Sequence, residues 1–377
     1  MIYKEFQGLR LSALGFGCMR LPGFEGQPES VDEEKVAAMV KTAFVGGVNY
    51  FDTAWGYHDG ESENVMGRIL AAYPRESYYL ADKFPGYDLS NFPRLREIFA
   101  RQLEKCRVAY FDFYLFHNVC EMNIDSYLDP KYGVYDYLMA EKKAGRIRHL
   151  GFSCHGHLPV LKRFLEAYGK DMEFCQLQLN WLDWRFQEAE EKVALLKEYG
   201  IPVWVMEPLR GGALASLSPE GEEKLRSLRP EETVPAWAFR FLQTLPEVKV
   251  ILSGMSDMAQ LEANLATFAE EKPLNEKELA ALGELAEEMG KRGTVPCTAC
   301  RYCTAHCPMS LDIPYLLSLY NEHALTGGGF IAPMALMALP EDKQPSACVG
   351  CRSCTQVCPQ QIAIPDHLAK FAEMLRG

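Results

Sequence analysis

Eight cysteines near the end of the 377-residue chain have a spacing that suits iron–sulfur chemistry. The pattern Cys-x₂-Cys-x₂-Cys-x₃-Cys-Pro occurs twice, and the second copy begins 51 residues after the first. The candidate ligands are Cys297, Cys300, Cys303 and Cys307 in the first copy and Cys348, Cys351, Cys354 and Cys358 in the second. Thiolates are soft ligands, and three of them at this spacing can converge on one cluster. The repeat predicts two [4Fe–4S] clusters, with structural zinc as the alternative that Cys-x₂-Cys pairs also allow.

A second group of side chains has the chemistry to move a proton. Asp52, Lys83 and His117 stand at the ends of apolar runs, and Tyr57 follows Asp52 by five residues. A nearby ammonium favours the ionised form of a tyrosine, so we expect Lys83, paired with Asp52, to tune Tyr57 as a proton donor. His117 would orient a substrate carbonyl. Each residue alone has an ordinary explanation in a salt bridge or in core packing, but together they predict a site that protonates an oxygen while a hydride reaches carbon.

The elements that must position these residues form eight strand–helix units in the first 270 residues. The predicted strands are 11–18, 48–54, 78–84, 111–117, 148–153, 174–179, 202–206 and 248–252. The predicted helices are 32–45, 61–72, 92–105, 127–144, 158–167, 187–199, 233–244 and 258–270. Eight such units favour a closed (β/α)₈ TIM barrel over an open doubly wound sheet, because the Gly-x-Gly-x-x-Gly pattern is incomplete after the first strand. In a barrel the carboxyl ends of the strands form the active-site floor, so the four polar side chains would meet there.

The domain organisation follows from these patterns. The α/β barrel occupies residues 1–272, a charged helix and linker occupy 273–296, and a smaller iron–sulfur domain occupies 297–377. The segments 315–323 and 334–339 between the two cysteine repeats read as helices, so we expect this domain to be mainly α-helical. The β-type segment 3–11 is expected to close the bottom of the barrel.

The cysteine repeat resembles the bacterial-type dicluster ferredoxin domains. The resemblance implies that the fourth cysteine of each repeat reaches the neighbouring cluster. One cluster would then take Cys297, Cys300, Cys303 and Cys358, and the other Cys348, Cys351, Cys354 and Cys307. The clusters would exchange electrons with a ferredoxin or another redox protein, or they would be structural and hold the small domain together.

The barrel resembles the aldo-keto reductase family over about residues 1–270. The matching motifs are Phe51-Asp52-Thr53-Ala54-x-x-Tyr57, Lys83, His117, Gly151-Phe152-Ser153, Gln176 with Asn180, Pro208-Leu209-x-Gly211-Gly212, and Ser253-Gly254 to Asn264. The resemblance implies that Asp52, Tyr57, Lys83 and His117 are catalytic. It implies cofactor contacts for Ser153, Cys154, Gln176, Glu207, Leu209, Gly211, Gly254, Gln260 and Asn264.

Three departures from the family pattern concern the cofactor. Cys154 stands where the family usually has asparagine, and Met206 stands where an aromatic residue commonly stacks on the nicotinamide. No lysine or arginine occurs between Lys249 and Lys272, in the region where NADPH-preferring members place a cation for the 2′-phosphate. The choice between NADH and NADPH therefore stays open, and a bound flavin is possible.

Composition excludes several classes of function. The first 290 residues carry 45 acidic and 32 basic side chains, which argues against nucleic acid as a partner. The N-terminus has charges where a secretory signal needs an apolar run, and the apolar stretch 330–339 is too short to span a bilayer. A reducing cytoplasm is the expected location, where clustered cysteines bind metal more often than they form disulfides.

Two functions compete at this point. The first is an NAD(P)H-dependent oxidoreductase that reduces a small carbonyl substrate while the clusters exchange single electrons with a partner. Hydride transfer moves two electrons, so coupling the two halves would normally need a flavin or quinone. The second is an electron carrier or redox sensor on a barrel scaffold. The aromatic residues Trp55, Tyr87, Phe92, Trp181 and Trp184 suggest an apolar pocket, but they do not identify the substrate.

Overall fold

The fold is that of a computed structural model, which describes residues 1–24, 27–290, 293–295, 297, 303–358 and 361–376. The chain divides into two compact units, Met1–Ala281 and Leu282–Gly377. The predicted domain limits at residues 272 and 297 stay predictions.

The described residues form twelve strands, eight of which close a parallel barrel. The strands are β1 (Tyr3–Phe6), β2 (Leu9–Ser12), β3 (Leu14–Gly17), β4 (Gly23–Phe24), β5 (Gln27–Val31), β6 (Tyr50–Asp52), β7 (Tyr79–Phe84), β8 (Phe111–Val119), β9 (Ile147–Cys154), β10 (Cys175–Gln178), β11 (Val203–Met206) and β12 (Val248–Ser253). The barrel order is β10-β11-β12-β3-β6-β7-β8-β9, with β9 pairing β10 to close it. The barrel strands are buried almost throughout, as expected when helices cover the outer face and side chains fill the interior.

Sixteen α-helices accompany the strands in the described part of the chain. They are α1 (Glu33–Val45), α2 (Ser62–Leu70), α3 (Leu95–Cys106), α4 (Ile124–Leu128), α5 (Val134–Lys143), α6 (Leu158–Tyr168), α7 (Asp183–Phe186), α8 (Ala189–Glu198), α9 (Pro219–Leu228), α10 (Val234–Gln243), α11 (Met258–Thr267), α12 (Glu276–Gly290), α13 (Ile313–Thr326), α14 (Ile331–Met337), α15 (Ser353–Gln356) and α16 (Ile364–Met374). Side-chain caps start several of them; the Asp32 carboxylate, for example, accepts from the Lys35 amide at 3.2 Å. None of the helices described is long and apolar enough to cross a membrane.

The structure confirms the predicted barrel and all eight of its strands, and it corrects one helix. The predicted helix 127–144 is two helices, α4 and α5, because Asp129 takes an extended conformation before Pro130. Gly133 then adopts a left-handed conformation, with φ of 57°, immediately before α5. The helices α7, α9, α15 and α16 were not predicted from the sequence.

A hairpin of β1 and β2 packs beneath the barrel, as predicted for segment 3–11. Phe6 is buried there in one cluster with Tyr50, Phe113 and Trp204, and its ring lies edge-on to Trp204 at 5.0 Å between centroids. Tyr50 and Trp204 belong to β6 and β11, so the hairpin fills the interior at the end of the barrel opposite the predicted site.

The unit Leu282–Gly377 is mainly helical, as predicted. Helix α13 packs against α14 and α16 around a buried core that includes Leu316, Leu317, Leu368 and Phe371. A proline in the first turn and the Asp312 carboxylate, which accepts from the Tyr315 amide, define the start of α13.

Candidate active site

Three neighbouring parallel strands bring the proton-transfer residues together. Asp52 ends β6, Lys83 lies near the end of β7, and His117 lies on β8. The Lys83 ammonium donates to Asp52 Oδ1 at 2.6 Å and to the carbonyl oxygen of Thr53 at 2.7 Å. Its third donor lies 3.5 Å from the hydroxyl of Tyr57, which belongs to the loop after β6. The Lys83 ammonium therefore contacts the Asp52 carboxylate, the backbone of the following loop and the Tyr57 phenol at the same time.

Burial controls the charges of this group. Burial lowers the pKa of Lys83, but the surrounding acidic groups, Asp52 first among them, together outweigh burial and leave the pKa above its ordinary value. Burial raises the pKa of Asp52, although Lys83 opposes the shift. Burial also raises the pKa of Tyr57, and Lys83 offsets only part of that rise. From the ammonium alone, the ionised phenol was expected to be favoured. In the folded protein the phenol keeps its proton, because desolvation is the larger effect.

His117 faces Tyr57 within an aromatic setting. Its ring lies edge-on to Tyr57 at 6.2 Å and to Tyr87 at 5.2 Å between centroids. Burial, reinforced by the Lys83 charge, lowers the pKa of His117 well below its usual value. Its Nδ1 is buried and has no hydrogen-bond partner within the described ranges. A neutral imidazole in this position is able to form a hydrogen bond with a ligand.

A cavity of about 520 Å³ opens beside Asp52 and Tyr57. It is walled by the loops that follow β3, β6, β11 and β12, at the carboxyl end of the barrel. Seven of the nine predicted cofactor residues line it, namely Gln176, Glu207, Leu209, Gly211, Gly254, Gln260 and Asn264. Met206 lines it as well. The buried Gln176 Oε1 has no partner in the part of the chain that the structure describes, so the cavity offers an amide oxygen to a ligand.

The two remaining predicted contacts, Ser153 and Cys154, lie outside the lining of this cavity and point to opposite faces of β9, because side chains alternate along a strand. The Ser153 hydroxyl accepts from the Asn118 amide at 2.7 Å. The Cys154 thiol lies 3.7 Å from the carbonyl oxygen of Gly156. Burial raises the pKa of this thiol to about 12, with the Lys192 ammonium of α8 opposing the shift. Cys154 therefore faces the surrounding helices rather than the cavity.

The cysteine repeats lie against one hydrophobic core of the second unit. Seven of the eight predicted ligands are described, and Cys300 lies outside the described residues. Cys303 and Cys354 are buried in the core, and Cys351 is exposed. The other four are half-buried and pack against the core; they are Cys297, Cys307, Cys348 and Cys358.

The donor set fits iron–sulfur clusters in its chemistry, and the two repeats contact each other. Helix α15 of the second repeat contacts the turn at Thr304–His306 in the first repeat, which sets the two repeats side by side, as an exchange of their fourth cysteines requires. The Leu311 amide donates to Cys307 Sγ at 3.5 Å, and hydrogen bonds of this kind to cluster sulfurs tune the clusters of iron–sulfur proteins. No three Cys, His, Asp or Glu side chains among the described residues form a closed metal-binding group.

Comparison with known proteins identifies the barrel. The sequence model of the aldo/keto reductase family matches residues 13–287. The chain belongs to this family. The membership makes the protein an NAD(P)H-dependent oxidoreductase, as predicted. The model of the 4Fe-4S dicluster domain matches residues 296–364, so an iron–sulfur domain follows the aldo/keto reductase barrel.

Curated relatives and solved structures agree with this membership. The chain is 28% identical to a probable aldo-keto reductase 1 from Glycine max, over 55% of this chain and 58% of that protein. It is 26% identical to an L-galactose dehydrogenase from Arabidopsis thaliana, over 70% of this chain and 86% of that protein. A holo-form aldo-keto reductase structure from Bacillus halodurans shares 26% identity with a TM-score of 0.62, covering 76% of this chain and 96% of that one. The chain thus spans less than two thirds of the Glycine max relative.

Structure adds Arg20 to the aldo/keto reductase site. This residue lines the cavity from the turn after β3, and its side chain packs beside Gly254. A Cβ on Gly211 would lie 3.2 Å from the Arg20 guanidinium, so Gly211 leaves room for it. From sequence, a cation was expected only near β12, whereas the fold brings one from the turn after β3.

A buried polar group holds the loop after β11, which forms part of the cavity wall. The Asp183 carboxylate accepts from Gln178, Asn180 and Arg210 at 2.7 to 3.2 Å. Gln178 Oε1 in turn contacts His155 Nδ1 at 3.2 Å. Burial lowers the pKa of His155 to about 4, so this imidazole is neutral at physiological pH. This buried polar group fixes the loop that carries Glu207 and Gly211. Of its members, only Asn180 was identified from the sequence.

Proposed function

We propose that the barrel reduces the carbonyl group of a small aldehyde or ketone with NAD(P)H, using Asp52, Tyr57, Lys83 and His117. The observation that carries this proposal is the Lys83 ammonium, held between Asp52 and Tyr57 at the edge of the cavity. A protonated phenol beside a fixed ammonium is suited to give a proton to an oxygen that gains negative charge.

The residues divide the work between proton donation and orientation. NAD(P)H, when bound, supplies the hydride that reaches the carbonyl carbon. The Tyr57 hydroxyl donates its proton to the carbonyl oxygen, so the products are an alcohol and NAD(P)⁺. Lys83 stabilises the phenolate that Tyr57 becomes, and Asp52 fixes the ammonium. The neutral His117 imidazole donates a hydrogen bond to the same oxygen and orients it.

The cavity supports a bound dinucleotide. Gln176, with its unpartnered amide oxygen, and Ser153 would hold the nicotinamide carboxamide. The loop from Glu207 to Gly212 and the segment from Gly254 to Asn264 would contact the pyrophosphate and adenosine. Arg20 supplies a cation at this cavity, and we assign it to a phosphate group of the dinucleotide.

The second unit would hold two [4Fe–4S] clusters. One would use Cys297, Cys300, Cys303 and Cys358, and the other Cys348, Cys351, Cys354 and Cys307. Such clusters supply single-electron transfer, and we propose that they exchange electrons with a ferredoxin or a similar redox protein in the cytoplasm. Side-by-side packing of the two repeats supports this ligand pairing.

A cofactor inventory of the anaerobically purified protein tests the proposal. Iron, sulfide and flavin are counted, and NADPH oxidation with 4-nitrobenzaldehyde is measured for the wild type and for Tyr57→Phe. We expect iron and sulfide in equal amounts and turnover that Tyr57→Phe abolishes. If no nicotinamide nucleotide binds, an electron carrier or redox sensor on a barrel scaffold replaces the reductase. If turnover survives cluster removal and flavin is absent, the clusters are structural.

A further inference from the structure

A buried ion pair that the proposed mechanism does not use lies behind the catalytic group. Lys105 of α3 pairs with Glu63 of α2. The Glu63 side chain is fully buried and that of Lys105 is 9% exposed. Buried charges are costly unless they are paired and hydrogen-bonded, so the other contacts of this pair indicate its role.

Gln102 connects the ion pair to the strand that carries Lys83. Its amide nitrogen donates to Glu63 Oε1 at 3.0 Å, to Asp82 Oδ1 at 2.9 Å and to the carbonyl oxygen of Lys83 at 3.0 Å. The Tyr114 hydroxyl donates to the amide oxygen of Gln102 at 2.6 Å. Helices α2 and α3 are therefore fixed to β7 at the residue whose side chain enters the active site.

Two buried carboxyl groups, Asp82 and Glu63, lie near each other in this network, because the Gln102 amide contacts both. Asp82 Oδ1 also accepts from the Lys83 amide at 2.8 Å. Burial and the Glu63 carboxylate raise the pKa of Asp82 well above its usual value. The Lys105 ammonium pairs with the Glu63 carboxylate, while the Gln102 amide holds Asp82.

Lys105 also contacts the loop that carries Tyr57. Its ammonium lies 4.7 Å from the centre of the Trp55 ring, a cation–π distance. It lies 3.6 Å from the point where a Cβ on Gly60 would stand, so the same ammonium lies near the other end of the loop. Within that loop His58 and Asp59 both have φ of 52°, a left-handed conformation that costs non-glycine residues energy and persists only where surrounding contacts impose it.

We propose that Lys105 is a positioning residue for Tyr57: paired with Glu63 and stacked on Trp55, it holds the Tyr57 loop against the strand that carries Lys83. The inference rests on the proposed function for its effect on catalysis, while the tether itself is a separate structural claim. Without the tether, the Tyr57 hydroxyl loses its fixed position relative to the Lys83 ammonium. A displacement of about 1 Å is enough to reduce turnover by about 100-fold.

Hydrogen exchange and kinetics on the full chain test the tether. Lys105→Met keeps the aliphatic stem and removes the charge; Arg101→Met, on the same helix but in an exposed ion pair with Glu104, is the matched control. In the Lys105→Met variant, we expect the backbone amides of residues 55–61 to exchange their hydrogens faster than in the wild type. The exchange rates in β8 and β9 should stay unchanged. We also expect kcat with NADPH and 4-nitrobenzaldehyde to fall about 10- to 100-fold with little change in the KM for NADPH. Equal behaviour of the Lys105 and Arg101 variants overturns the proposal.

Two further variants keep the proposal falsifiable if Lys105→Met fails to fold with Glu63 left unpaired. The double variant Glu63→Gln/Lys105→Met removes both charges and keeps the contact to Gln102. No unpaired charge is then buried, so any remaining effect on the loop comes from the lost contact between Lys105 and Trp55. Lys105→Arg can pair with Glu63 and stack on Trp55, and it should restore loop protection and turnover. If residues 55–61 of the double variant keep the hydrogen-exchange protection of the wild type, the proposed tether is wrong. Exchange data decide this even if the wild type reduces no carbonyl, an outcome that would refute only the proposed function.

Discussion

The Lys83 ammonium lies 2.6 Å from Asp52 Oδ1, and the two side chains are only 1% and 4% exposed. The pair joins neighbouring barrel strands at the cavity edge, and the same ammonium reaches the Tyr57 hydroxyl. Because both charges are removed from water, each depends on the other, and the loss of either one affects stability as well as chemistry.

Replacing Lys83 by methionine should therefore damage both properties. Asp52 would be left buried and unpaired, so we expect the free energy of unfolding to drop by about 3–5 kcal/mol. Turnover should fall by about 10²- to 10⁴-fold, because Tyr57 loses the charge that stabilises its phenolate. Thermal unfolding and NADPH oxidation measure the two effects. Lys131→Met, in an exposed pair with Asp129, should change neither by a measurable amount. Wild-type turnover in Lys83→Met would contradict the assigned role.

The pH profile of carbonyl reduction should be flat through the neutral range. Tyr57 must be protonated to donate, and burial places its pKa above the usual value near 10, so activity should be lost only as the pH rises beyond that value. His117 is neutral because burial lowers its pKa, so its protonation should not reduce activity near pH 6.5. Values of kcat/KM measured from pH 5 to pH 11 check both limits. A fall in activity near pH 6.5 that His117→Gln removes would show that the imidazole titrates in the ordinary range.

Arg20→Met should weaken dinucleotide binding. A charge-assisted hydrogen bond contributes about 1.5–3 kcal/mol, so the Kd for NADPH is expected to rise about 10- to 100-fold. Fluorescence titration with NADPH and NADH shows which phosphate Arg20 contacts. Weaker binding of NADPH alone indicates the 2′-phosphate, and equally weaker binding of both nucleotides indicates the pyrophosphate. Arg226→Met, on the exposed face of α9, is the control. Unchanged affinity for both nucleotides would remove Arg20 from the site.

Replacing Ser153 and replacing its neighbour Cys154 should have different effects on the KM for NADPH. Ser153→Ala removes the hydroxyl proposed for the nicotinamide and leaves the Asn118 amide without its acceptor, so the KM for NADPH should rise about tenfold. Cys154→Ala should leave it unchanged, because the thiol faces the helical layer. Steady-state kinetics on the two variants distinguish the faces of β9. A rise in the KM for Cys154→Ala would place the thiol at the cofactor instead.

Cys354→Ser should remove one cluster. The thiol is buried in the core of the second unit, and we propose it as a ligand together with Cys307, Cys348 and Cys351. Iron should fall from about eight to about four atoms per chain, with a matching loss of visible absorption under anaerobic conditions. Cys120→Ser, a buried cysteine of the barrel, should retain all the iron. Equal iron in the two variants would rule out Cys354 as a ligand.

Periodicity and motif spacing were enough to predict the barrel, because each strand is a short apolar run and each helix has its own pattern and cap. They also predicted the catalytic group as a set, since consecutive parallel strands end on the same side of a barrel. Seven predicted cofactor residues line the cavity for the same reason. The break of 127–144 into two helices was missed, although Pro130 and Gly133 carried the signal.

Residue types along the chain thus determined the fold class and the iron–sulfur repeat, and they predicted the residues of the proposed catalytic group. Tertiary structure alone decided the sign of the Tyr57 pKa shift, because desolvation depends on what surrounds the phenol and not on its neighbours in sequence. It also decided which face of β9 carries Cys154, and it brought Arg20 to loops about 190 and 230 residues away along the chain. Contacts of this kind arise when the sheet closes, and no local pattern in the sequence encodes the closure geometry.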